Sequence, residues 1–326
     1  MSNVMARLMR VGALILAAVM VFALTDGVST AGTQASTSAP PVGDFYQHLR
    51  WNQGRAEINL YDAVEMRYGV PRQATEAALI FVKEDHRSED YVKADDPGRG
   101  DLPAIKLNWS VVVPTGIYTY RQMASVFVDR QSALPFRESF TSQEWCGNTA
   151  KDVHLIRTAG GNSFRYRYSS YFGHEGEGER TVAIDSAHTA LFADALPVYL
   201  RALDLPAIAE SDRTYTLSVV PTLIANRAQP DRVGTPLAAA VSVARLENVT
   251  VPAGRFNVWR VTVEYTSPDG TKQRELYDYD DGPNRRLVGM QRADGAVYKL
   301  RKSMWLDYWR HHDVGDERLR EGVGVE

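Results

Sequence analysis

From Ala56 onward, apolar and polar residues alternate with a period of two in run after run, and the runs are rich in β-branched and aromatic side chains. This is the pattern of strands with one buried face. It predicts strands over 60–68, 77–84, 104–113, 116–120, 125–128, 139–145, 164–171 and 181–184. A second set is predicted over 215–224, 239–246, 256–265, 272–279, 286–291 and 297–302. The cleanest alternation places Phe164, Tyr166 and Tyr168 on one face and Arg165 and Arg167 on the other. The breaks carry turn residues, among them Pro114-Thr115-Gly116, Gly160-Gly161-Asn162, Asp269-Gly270 and Asp294-Gly295.

One long stretch, 186–205, has helical spacing, with Leu191, Ala195, Val198 and Leu203 in register and Asp185 or Ser186 as a cap. Pro197 inside an unbroken helix would cost about 3 kcal/mol. Two pieces are therefore predicted, the second starting near Ala195 or Pro197 with the proline in its first turn. A short helix is predicted over 44–51, with Phe45, Tyr46 and Leu49 on its buried side. Short strands joined by tight turns imply a mainly β fold. Curved antiparallel sheet, arranged as a half-barrel meander in two lobes over 44–185 and 186–310 or as one large sheet, is expected, with the central helix near 186–205 packed against it. Residues 311–326 form a polar tail, expected to fray.

The start of the chain has another pattern. Arg7 and Arg10 precede fourteen apolar or small residues over 11–24, and Ser29-Thr30-Ala31 has small-x-small spacing. Residues 1–31 thus read as a cleavable signal peptide. The apolar run is short of the roughly 20 residues that span a bilayer. Residues 32–43 are Ser/Thr/Pro-rich and read as a flexible linker. A periplasmic or secreted location follows, with no membrane span after cleavage.

Removing 1–31 takes away two cations and one anion, so the formal charge of −3 becomes −4. No basic excess for nucleic acid is present. Cys146 is the single cysteine, which excludes an intramolecular disulfide and zinc-finger clusters.

The order over 195–305 is a helix with Tyr199-Leu200-Arg201, a strand pair, then Leu246–Phe256 with Val251-Pro252-Ala253-Gly254-Arg255-Phe256 between two strands. A hairpin at Asp269-Gly270, the strand Tyr277-Asp278-Tyr279-Asp280 and Arg285-Arg286-Leu287-Val288 follow. This order resembles a group of uncharacterised exported bacterial proteins, domains of unknown function whose sheet is similar to the half-barrel of periplasmic lipoprotein carriers. The resemblance implies a bent sheet and brings no catalytic residue with it.

Cys146, with His154 eight residues on, is the candidate nucleophile–base pair of a hydrolase. The bland alternative is a buried core thiol. The acidic run around Glu84, Asp85, Glu89 and Asp90 and the pair His311-His312 read as solvated surface, so no metal and no cofactor is expected. Trp259, Val261, Val263 and Tyr265 put four apolar side chains on one strand face, the candidate lining of a ligand groove. The leading expectation is non-catalytic: binding of a lipid-like ligand or an envelope protein on a curved sheet in the cell envelope. A Cys146 hydrolase and a scaffold without a small-molecule site are the alternatives.

Overall fold

The computed structural model describes residues 35–36, 39–96, 98–159, 161–184, 189–211, 213–223, 235–267 and 269–326. The signal-like segment 1–31, linker residues 32–34 and 37–38, the helix caps Asp185 and Ser186, and Ile224 lie outside them.

The chain begins with β1 (Ala35–Ser36) and two 3-10 turns, Phe45–Gln47 and Leu49–Asn52. It then lays down β2 (Ala56–Arg67), β3 (Val70–Gln73), β4 (Glu76–His86), β5 (Leu102–Pro114), β6 (Thr119–Asp129) and β7 (Pro135–Glu144). Next come β8 (Gly147–Thr158), β9 (Gly161–Ser170), β10 (Glu177–Ala183) and β11 (Thr189–Phe192). A 3-10 turn at Ala193–Ala195 leads into α1 (Leu196–Ala202) and α2 (Leu205–Ser211). The second half is β12 (Thr214–Val220), β13 (Leu237–Val251), β14 (Gly254–Thr266), β15 (Lys272–Asp280), β16 (Leu287–Gln291), β17 (Val297–Leu306) and β18 (Gly324–Val325).

All these strands join one 18-stranded, mainly antiparallel sheet. The two expected lobes share it, because β17 pairs antiparallel with β2, Met304 opposite Ile58. The sheet curls without closing. β10 forms one edge, and at the other β11 and β1 lie parallel to β12. Phe192 on β11 meets Phe164 on β9 edge-to-face, with ring centroids 5.3 Å apart, so the two ends of the sheet touch through side chains.

The central helix corrects the prediction in detail. Residues 189–192 are strand, because Leu191 and Phe192 complete the sheet edge beside β12. Helix begins only after Phe192, and Pro197 sits in the first turn of α1 as its missing N–H requires. All seven residues of α1 are buried inside the curl. Arg201 is fully buried there. Its Nη2 donates to Glu57 Oε2 at 2.7 Å and to Asn284 O at 2.5 Å, and its Nε donates to Arg285 O at 2.7 Å. Tyr46 and Tyr279 donate to the carbonyls of Val198 and Pro197 at 2.9 and 3.0 Å. The 44–51 segment is 3-10 rather than one α-helix. Trp51, not Leu49, turns inward, and Leu49 is exposed.

The expected linker is tied down where it is described, since Gly43 N donates to Ala202 O at 2.8 Å and Asp204 N to Pro41 O at 3.0 Å. The polar tail does not fray. Lys302 Nζ donates to Leu319 O and Glu321 O at 2.8 and 2.6 Å, and β18 pairs with β17.

A candidate ligand groove on the outer face

An antiparallel sheet with one packed face usually shows polar residues on the other. The strands β2, β4 and β17 break that rule. On β2, Glu57, Asn59, Tyr61 and Ala63 point into the curl, while Ala56, Ile58 and Leu60 point outward. Register brings Met304, Ile58 and Ile80 side by side, and Leu60 beside Ala78. The outer face therefore carries its own apolar cluster of Ala56, Ile58, Leu60, Val82 and Met304, with Leu306 and Tyr308 against it.

The tail covers that cluster incompletely. Between sheet and tail lies a groove of about 460 Å³, floored by Ile58, Leu60, Ala78, Ile80, Met304 and Leu306. Leu319 and Tyr308 add apolar walls. The polar rim carries Glu76, Asp313, Asp316 and Glu317 against Arg320, with His311 and His312 beside them. Arg320 Nη2 donates to Glu76 Oε2 at 2.8 Å, which ties the tail to β4. His311 stands between Asp307 and Asp316, 3.4 and 3.9 Å from their oxygens. Four carboxylates against one guanidinium make the rim net negative, so it suits a neutral, zwitterionic or cationic head above an apolar tail.

A second, smaller cleft of about 200 Å³ opens at the end of the curl where β12, β14 and β16 finish. Val219, Pro221, Leu237 and Tyr265 line it with Glu275, Arg292 and Asp294. Its polar groups are matched among themselves. Tyr265 and Tyr277 donate to Glu275 Oε2 at 2.9 and 2.7 Å, and Arg292 pairs with Asp294. Burial pushes the Glu275 carboxyl above its ordinary value, against the pull of Tyr277, Arg292 and Tyr265. Deeper still, Asp194 accepts from Thr222 Oγ1 and, at 2.5 Å, from Leu223 N. Glu138 on β7 faces Asp194, and burial together with that neighbour raises the Glu138 carboxyl well above its usual range.

The four residues singled out on β14 all face inward, as their alternation predicts. Val261 and Val263 are sealed in the main core, Trp259 is half-buried against it, and Tyr265 alone of the four borders a cavity. Cys146 corrects the expectation of a buried thiol. It lies in the exposed turn between β7 and β8, where Gly147 takes a positive φ. His154 lies on the outer side of β8, its Nε2 2.8 Å from Asp152 Oδ2. Eight residues of extended chain separate the two, roughly 26 Å at strand rise. The fold therefore does not bring this thiol and imidazole together.

Sequence reasoning missed the groove, although a signal was present. Residues 77–82 read Ala-Ala-Leu-Ile-Phe-Val, an unbroken apolar run that marks a strand buried on both faces.

No family model matches the chain. No curated protein matches it either. Among solved structures it is similar to a crystal structure described as a beta-barrel-like protein of domain of unknown function DUF1849 from Brucella abortus. The two are 14% identical with a TM-score of 0.46, over 78% of this chain and 98% of that one.

Proposed function

We propose that this chain is an exported cell-envelope protein that binds an apolar or amphipathic ligand and catalyses no reaction. The observation that carries the reading is the outer-face groove, whose floor is apolar apart from Ser110 beside Ala78 and whose charged groups lie at the rim. Its volume of about 460 Å³ lies within the range of small-molecule sites. Each methylene buried is worth about 0.8 kcal/mol, so about sixteen of them, less roughly 5 kcal/mol of association and ordering costs, give micromolar binding. The proposed location, periplasmic or secreted, rests on the basic residues and short apolar run of 1–31. The open-end cleft beside Tyr265 is a smaller place for the same kind of ligand.

Native mass spectrometry of protein isolated from its own envelope fraction tests the reading. An adduct of lipid mass that is lost on collisional activation is the expected result. A bare protein mass from folded material contradicts it. Edman sequencing of the same sample is expected to start near Gly32, and an intact Met1 contradicts export by cleavage.

A further inference from the structure

Across β2 to β10, the two ends of the sheet differ in chemistry. Alternating strand directions place the connections 68–69, 115–118, 145–146 and 171–176 at one end. The first three hold no Asp, Glu, Lys or Arg, and the fourth holds only Glu175, which is buried inward on Lys151 at 3.3 Å. At the opposite end the single connection 87–101 holds eight charged residues in fifteen.

The uncharged tips carry large apolar side chains in water. Ile117 is 85% exposed, Trp145 76%, Tyr68 73% and Tyr171 66%. They form one patch. Trp145 stacks on Tyr118 with centroids 6.3 Å apart, and the Tyr68 hydroxyl lies 3.0 Å from that of Tyr120. Tyr171 N donates to Asn148 O at 3.0 Å, and its ring covers Gly147 so closely that a Cβ there would lie 2.4 Å from Cγ. Glycine at 147 is thus required to seat Tyr171. Exposed Arg121 flanks the patch, the Arg67 guanidinium is tucked beneath it, 3.9 Å from the Tyr120 ring centroid, and half-buried Glu144 lines the hollow beside Trp145.

We propose that this aromatic end is a docking surface for a phospholipid bilayer. Tyr and Trp favour the membrane interface, where the ring is desolvated and the polar edge stays wet. Uncharged tips enter that layer without desolvating an ion, and Arg121 meets headgroup phosphates behind them. A bilayer fits better than a protein partner because the patch combines aromatics, one aliphatic tip and a flanking cation, with no exposed carboxylate in these four connections. This inference goes beyond the groove and stands whether or not the groove holds a ligand.

Flotation of the full chain with vesicles of phosphatidylethanolamine and phosphatidylglycerol tests it. Wild type is expected to float. Ile117→Ser/Trp145→Ser is expected to lose about a hundredfold in partitioning, the scale of withdrawing two large apolar side chains. Leu134→Ser, at the other end of the sheet, and the groove-filling Ala78→Phe are expected to float like wild type. Any contribution of residues 1–31 is common to all four proteins. Brominated phosphatidylcholine vesicles give a second readout that does not depend on the double variant folding. They are expected to quench wild-type tryptophan emission and to spare Trp145→Phe. Equal flotation of the folded double variant overturns the proposal. So does absence of flotation by wild type, equal quenching of Trp145→Phe, or Trp145-dependent dimerisation in ultracentrifugation without vesicle binding.

Discussion

The two faces of β2 and β17 are built from the same strands and end in opposite states. Inward, Glu57 meets Arg201, Asn59 donates to Glu57 Oε1 at 2.7 Å, and α1 fills the curl. Outward, Ile58, Leu60 and Met304 meet a tail that leaves about 460 Å³ unfilled. The inner face binds its own helix permanently, and the outer face keeps room for something else. A bent apolar sheet is therefore not by itself a ligand site; what matters is which face the chain has already covered.

The largest effect is expected on the filled face. Arg201 and Glu57 are both fully buried, and Glu57 keeps Arg201 charged against the cost of its burial. Glu57→Gln strands that charge and is expected to cost about 3–5 kcal/mol in denaturant unfolding. A loss below about 1 kcal/mol would break the account of how α1 is held. Leucine truncations sharpen the contrast. Leu200→Ala, in α1, is expected to cost about 3–5 kcal/mol, since a sealed site keeps its cavity. Leu60→Ala, beside existing space, is expected to cost about 2 kcal/mol or less. Equal costs would mean that the groove is as tightly packed as the core.

A pH effect is expected on the inner face. The Glu138 carboxyl is raised by burial and by Asp194, so its folded state holds a proton that the unfolded chain gives up near 4.5. The stability this contributes is complete below that ordinary value and is lost as pH rises through the folded one. Glu138→Gln is expected to flatten the decline of stability from pH 5 to 8, read from urea midpoints at each pH. An unchanged slope would show that burial does not raise the Glu138 carboxyl. The smallest effect is expected at Cys146, away from both faces. Cys146→Ser should change stability by about 0.5 kcal/mol or less. The native thiol should react with a disulfide reagent as fast as the denatured one.

Much of the fold was legible because most strands alternate cleanly. Val251–Phe256 does span a strand connection, with Pro252 and Ala253 as the two-residue turn between β13 and β14. β8 escaped because its inner face carries Thr149 and Lys151 where apolar residues were sought. Lys151 is buried there by Glu175, the Leu223 carbonyl at 3.1 Å and the Phe140 ring, partners from distant parts of the chain. Strand β11 was hidden for a related reason: Leu191 fits a helical stripe as well as a sheet edge, and only the presence of β12 decides. The groove needed knowledge of the tail, whose polar sequence gives no hint that it folds back over Ile58 and Leu60.

Titration with a fluorescent lysophosphatidylcholine tests the central claim most directly, comparing wild type with Ala78→Phe, which fills the outer groove, and Leu237→Phe, which fills the open-end cleft. Saturable micromolar binding by wild type and Leu237→Phe, lost in Ala78→Phe while its far-UV spectrum stays native, is the predicted result. Absence of saturable binding by folded wild type, or loss in Leu237→Phe alone, would contradict it.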